Sequence, residues 1–151
     1  MSPTKKSSQR RSAVAKRDGA AEPVVKTLDR AMGSNYPPGR MLIASPQSIE
    51  AAVMAIPRGQ VLTLPALRAR LAKQFKADYT CPITTGIFLR IAAEAALEEG
   101  RADAVPVWRV VRENGACLDK LPGGPEAQAA RLAKEGVPMT QRRGKWYVAE
   151  Q

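Results

Sequence analysis

Histidine is absent from all 151 residues, which removes the side chain that most often serves as general base near neutral pH and as zinc ligand. Cysteine is scarce. The two present, Cys81 and Cys117, are too few for a disulfide framework, and a metal site would have to do without its usual ligands. A reducing, cytoplasmic setting is therefore expected, with neither metal nor cofactor. Long apolar runs are missing as well: nothing approaches the roughly 20 residues that a membrane-spanning helix needs. The opening MSPTKKSSQRRSAVAKRDGAAEP is polar and basic, without the apolar centre of a secretory signal. Acidic residues are outnumbered, 14 against 24 basic ones, which leaves a formal net charge of +10. That excess is more than solubility requires, and its simplest partner is a polyanion, nucleic acid ahead of an acidic membrane surface. The apolar fraction is 44%, near the globular average, and the length suits one compact domain plus a tail.

The tail is residues 1–22. Lys5, Lys6, Arg10, Arg11, Lys16 and Arg17 sit there among Ser, Ala and Gln with almost no large apolar side chains, so disorder is expected. It reads either as a solubilising extension or as an arm that tracks DNA through phosphate contacts. Residues 23–40 read as a short helix, Val24 to Met32, followed by a Pro/Gly linker containing Gly33, Pro37, Pro38 and Gly39. The folded unit is expected over residues 41–151. Ser45 and Pro46 form an N-cap and first-turn pair for a helix whose inner stripe is Ile49, Val53 and Ile56. Thr63 caps a second helix from about Pro65, with Leu67, Leu71 and Phe75 inward and Arg68, Arg70 and Lys73 outward. After a turn through Pro82, Thr84 or Thr85 opens a third helix that runs to about Glu98, with Gly100 just past its end. Two helices joined by a short polar turn suggest a helix-turn-helix.

Downstream the pattern changes to strand and turn. Val105 to Val111 is rich in β-branched residues and Asn114-Gly115 is a turn signal; Pro125 starts a last helix that Gly136 stops. Val137 to Thr140 and Lys145 to Ala149 read as a hairpin around Arg142, Arg143 and Gly144. That basic tip is either a wing that contacts phosphate or a charged turn facing solvent. The expected fold class is α+β, mainly helical: a winged helix-turn-helix domain with small β-hairpins.

Family resemblance enters at these same elements. Ile56-Pro57-Arg58-Gly59-Gln60-Val61-Leu62-Thr63 resembles the IPxGxVxT opening of the DNA-binding domain of the O6-alkylguanine-DNA alkyltransferases. Val105-Pro106-Val107-Trp108-Arg109-Val110-Val111 falls where that family carries its IPCHRV active-site motif. Gly115, Gly123-Gly124 and Leu132-Ala133-Lys134-Glu135-Gly136 match its G…GG…LLxxEG ending in order. In that family a cysteine thiolate accepts the alkyl group, activated by the following histidine and a glutamate. Here Val107 holds the cysteine position and Trp108 the histidine position; Glu135 remains. No catalytic residue is expected, because valine cannot accept an alkyl group. The sequence is similar in logic to the alkyltransferase-like proteins, which also lack the cysteine and bind alkylated guanine without repairing it. It departs from them in carrying its tryptophan one position later and in lacking their histidine.

The resemblance implies further roles. Arg90, in Arg90-Ile91-Ala92-Ala93-Glu94-Ala95, aligns with the arginine that fills the space left by a flipped nucleotide; as a bare helix residue it is simply a surface arginine. Leu64 and Leu121 replace two tyrosines of the family, which makes the base pocket of Val107, Trp108 and Leu121 more apolar. Trp108 reads either as core or as a stacking surface for a base. The expected DNA contacts are Thr63, Arg68, Thr84, Thr85, Arg90, Arg109, Arg142 and Arg143. The expected partners are double-stranded DNA, alkylated or not, and unidentified repair proteins, with no membrane. A monomer at the nucleoid is expected. Three readings stay open: a non-enzymatic protein that recognises alkylated or distorted DNA, a winged-helix regulator or architectural protein that does not flip bases, and a cryptic alkyltransferase that uses Cys81, a thiol preceding the third helix.

Overall fold

The computed structural model describes residues 11–149. Five helices and several short strands alternate along the chain, an α+β arrangement dominated by helix. A short helix α1 (Ala13–Asp18) leads into strands β1 (Val24–Leu28) and β2 (Gly39–Ile43), then helix α2 (Pro46–Met54). Strand β3 (Leu62–Thr63) opens directly into α3 (Leu64–Gln74), and β4 (Tyr79–Thr80) into the long helix α4 (Pro82–Glu98). A tight helical turn, Val107–Arg109, runs into β5 (Val110–Val111), followed by α5 (Gly124–Lys134) and the hairpin of β6 (Met139–Arg142) and β7 (Lys145–Val148).

Local chemistry sets most of these boundaries. Ser45 accepts from the Ser48 amide and Ser48 reaches back to the Ser45 amide, a reciprocal cap that starts α2 at Pro46. Thr63 accepts from the Ala66 amide and so caps α3. Helix α4 starts at Pro82, two residues before the expected Thr84, because a proline in the first turn has its φ already set and no amide to leave unpaired. The β6–β7 turn places Arg143 at φ 53° and Gly144 at φ 79°, the two left-handed positions that a tight hairpin needs.

Strands β1, β2 and β4 form one sheet, in which β1 runs antiparallel to β2 (Val24 opposite Ile43) and β2 parallel to β4 (Met41 opposite Tyr79). Strand β3 pairs in parallel with β5, Leu62 opposite Val110. The main core gathers Leu42, Ile49, Val53, Leu67, Leu71, Leu89 and Val110 from both sheets and from α2, α3 and α4. Burial of each such side chain stabilises the fold by roughly 1.5 to 3 kcal/mol. A second cluster, Trp108, Val111, Leu132 and Val137, seats α5 and the closing hairpin.

Three expectations are corrected. Val24 to Met32 is not a helix: Val24–Leu28 is a strand, because its β-branched residues find a full antiparallel partner in Gly39–Ile43. The expected disorder of residues 1–22 fails over Ala13–Asp18, which Ser12 caps and which docks on the end of α4; residues 1–10 lie outside the described part. Val105 to Val111 is extended only at Val110–Val111, since Pro106 diverts the chain into the Val107–Arg109 turn.

Candidate nucleic-acid interface and cavity

Helix α4 divides its residues cleanly between inside and outside. Thr85, Leu89, Ala92, Ala93, Ala95 and Ala96 are buried, whereas Ile83, Ile87 and Arg90 face solvent. The alanines let α4 pack tightly against its neighbours. Thr85 is withdrawn from the DNA-contact set: it is fully buried and its hydroxyl donates to the Cys81 carbonyl at 2.7 Å.

Arg109 is also withdrawn. Its guanidinium turns inward, donating to Glu135 Oε2 at 2.7 Å and to the Ile56 carbonyl at 2.7 Å. Glu135 accepts as well from Trp108 Nε1 at 2.9 Å and from the Gly59 amide at 3.0 Å. Burial alone would raise this carboxyl, but the donors from Arg109, Gly59 and Trp108 outweigh it and hold the pKa at about 2. Where the resembled family uses a glutamate to polarise a catalytic group, this one clamps three segments of backbone and side chain together.

Arg90 stands on the outer face of α4, its Nε 2.8 Å from Glu94. It borders an apolar depression of about 300 Å³ floored by Leu64, Leu89, Leu118 and Leu121 and rimmed by Arg112 and Lys120. Leu64 and Arg112 continue into a shallow groove beside Arg68, and Arg112 continues into a further recess beside Gly144 and Lys145 at the hairpin. Shared walls thus connect Arg68, Arg112, Arg90, Lys120 and the hairpin end in one strip, basic in balance, which Glu113, Asp119 and Glu126 also line. Arg142 stacks over Tyr147 at 4.0 Å, and Arg143 and Lys145 are exposed beside it. Thr84 is half-buried on the first turn of α4, while Thr63 is committed to its cap. Sequence reasoning missed Arg112, Lys120, Ile83 and Ile87. The exposure of the two isoleucines had a signal, since residues four apart share a helix face with Arg90 close by; Arg112 and Lys120 had none.

Leu121 also forms part of a second cavity, of about 280 Å³, which Arg90 does not line. The expected pocket residues Val107, Trp108 and Leu121 all line it, with Ala93, Ala96 and Leu97 from α4. Trp108 is 7% exposed, so it is both core and wall. Arg131 lies over its ring at 4.3 Å, and sequence reasoning missed that residue too.

Neither thiol lines this cavity. Cys81 is buried, with Sγ 3.4 Å from the Tyr36 hydroxyl. Burial pushes its thiol up, but hydrogen bonds from Thr84 and Tyr36 outweigh that and leave it below its ordinary value. Burial pushes the Cys117 thiol up to about 11.

No family model matches the sequence, and no curated protein does. Among solved structures the chain is similar to Atl1 of S. pombe in complex with damaged DNA containing O6-carboxymethylguanine. That likeness has a TM-score of 0.50 and 23% identity and covers 69% of this chain and 87% of that one. A second structure, of S. pombe ATL in complex with DNA, matches with the same TM-score of 0.50 at 20% identity, again over 69% and 87% of the two chains. At these identities the likeness establishes the fold.

Proposed function

We propose that this protein binds double-stranded DNA without catalysis and recognises alkylated or distorted bases, as the alkyltransferase-like proteins do. Arg90 enters the base stack, the extruded base enters the cavity beside Trp108, and the β6–β7 hairpin acts as a wing on the phosphates. The observation that carries this reading is the position of Leu121, which walls both the Arg90 depression and the Trp108 cavity. Plug and receptacle therefore stand side by side, as base flipping requires. The basic strip from Arg68 to the hairpin supplies the charge to hold a duplex over them. S. pombe Atl1, whose fold this chain shares, is seen with damaged DNA.

Chemistry is left out of the reading because Val107, at the family's nucleophile position, lines the cavity and has no lone pair to offer, while Cys81 is buried elsewhere. On this reading the protein works as a monomer on the nucleoid, marking the lesion for other repair proteins.

One observation favours a simple holder over a flipper: Arg90 is already engaged with Glu94. The pair is exposed, however, and an exposed helix pair is worth only roughly 0.3 to 0.5 kcal/mol, so a duplex can displace it. Equilibrium binding to an O6-methylguanine duplex and to its undamaged twin tests the proposal. Tighter binding to the lesion is expected, and equal affinities leave the holder. Intact mass after incubation with the same lesion should be unchanged; a gain of one methyl group would establish a cryptic alkyltransferase instead.

A further inference from the structure

The Trp108 cavity offers an incoming group almost nothing polar. Gln128 spends its amide on the Trp108 and Val110 carbonyls and its oxygen on the Leu118 amide, and the Trp108 N–H is held by Glu135. The one charged residue in the wall is Arg131. Its guanidinium carbon lies 4.3 Å from the centre of the indole, and Nη2 donates to Asp103, a residue whose side chain is 89% exposed. Guanidinium carries five N–H donors, so this contact leaves donor capacity at the mouth of an otherwise apolar chamber.

We propose that Arg131 sets the specificity of this cavity, favouring a base adduct that carries a carboxylate over one that carries a neutral alkyl group. The inference rests on the lesion-binding reading above and names the lesion class within it. An ion pair with a carboxylate as exposed as Asp103 is worth little in water. The same guanidinium facing a carboxylate inside the chamber interacts at lower effective dielectric, with bidentate geometry available, and the displaced Asp103 returns to solvent at small cost. A methyl adduct leaves Arg131 on Asp103 and gains apolar contact alone.

The test is equilibrium binding of the full chain to three duplexes that differ at one base: guanine, O6-methylguanine and O6-carboxymethylguanine. The protein should bind the carboxymethyl duplex about tenfold more tightly than the methyl one, as one charge-assisted hydrogen bond implies. Arg131→Met should abolish that preference while keeping the preference for methylguanine over guanine, and Asp103→Asn should widen it by removing the competing carboxylate. Equal binding of the two adducts by the unaltered protein, or a parallel loss for both in Arg131→Met, overturns the role of Arg131 and leaves lesion binding intact. Failure to distinguish either adduct from guanine overturns the lesion-binding reading itself, and this inference with it.

Discussion

At the scale of single residues, Glu135 and Arg90 are opposites. The Glu135 side chain is 4% exposed and holds Arg109, Trp108 and the Gly59 amide at once. Its pKa falls from the ordinary 4.5 to about 2 on folding. A carboxyl depressed in the folded state contributes stability that is present above pH 4.5 and lost as the pH falls towards 2. Glu135→Gln cannot ionise, so it should be less stable by about 2 kcal/mol at pH 7, with the gap to the unaltered protein closing across that acid window. Urea denaturation at a series of pH values measures this, and a constant gap would assign the stability to packing rather than charge. Arg90, with its side chain 55% exposed, should be dispensable for folding. Arg90→Ala is expected to remove more affinity for a lesion or mismatch duplex than for matched DNA, because only a flipped complex has a hole to fill. Uniform weakening, with a salt slope lower by about one, would make Arg90 a phosphate contact.

Among the elements, α1 and the closing hairpin both change what the charges on the chain can do. The Glu98 carboxylate accepts from the amides of Ala13 and Val14, and Arg17 pairs with Glu99, so α1 is fastened to the C-terminal end of α4. A carboxylate at a helix N-terminus also meets the positive end of its dipole. Deleting residues 1–10 removes Lys5, Lys6 and Arg10 with α1 still docked, and should weaken binding to all duplexes alike. Deletion through Asp18 should in addition lower Tm by several degrees, as the loss of about 1 kcal/mol implies. Identical Tm values for the two truncations would show that the docking of α1 adds no stability. In the hairpin, Arg143 sits at φ 53°, a conformation that costs an ordinary side chain about 1 kcal/mol and that Asn tolerates better. Arg143→Asn should therefore raise stability slightly while reducing DNA affinity uniformly. A gain in stability with unchanged affinity would mean that the hairpin does not touch phosphate at this position.

For the molecule as a whole, the net charge of +10 and the strip from Arg68 to the hairpin predict binding that weakens steeply between about 50 and 200 mM salt, as counterion release demands; flat binding over that range would remove the polyanion reading altogether. What the sequence determined were features closed by neighbours a few residues apart. Ser45 and Thr63 as caps, Pro46 and Pro125 in first turns, and Arg143-Gly144 at a hairpin tip depend on local φ/ψ and on an amide within one turn, so they are legible residue by residue. The basic balance and the missing histidine are legible in the same way, because composition is independent of fold. Tertiary structure alone decided the direction in which each side chain faces. Val24–Leu28 became a strand because Gly39–Ile43 lay beside it, Arg109 turned inward to Glu135, Thr85 was buried at the start of α4, and Arg131 reached Trp108 from another helix. Each of these depends on a contact between surfaces whose free energy comes from burial and from desolvated charge, and those terms exist only once residues distant along the chain have been brought together.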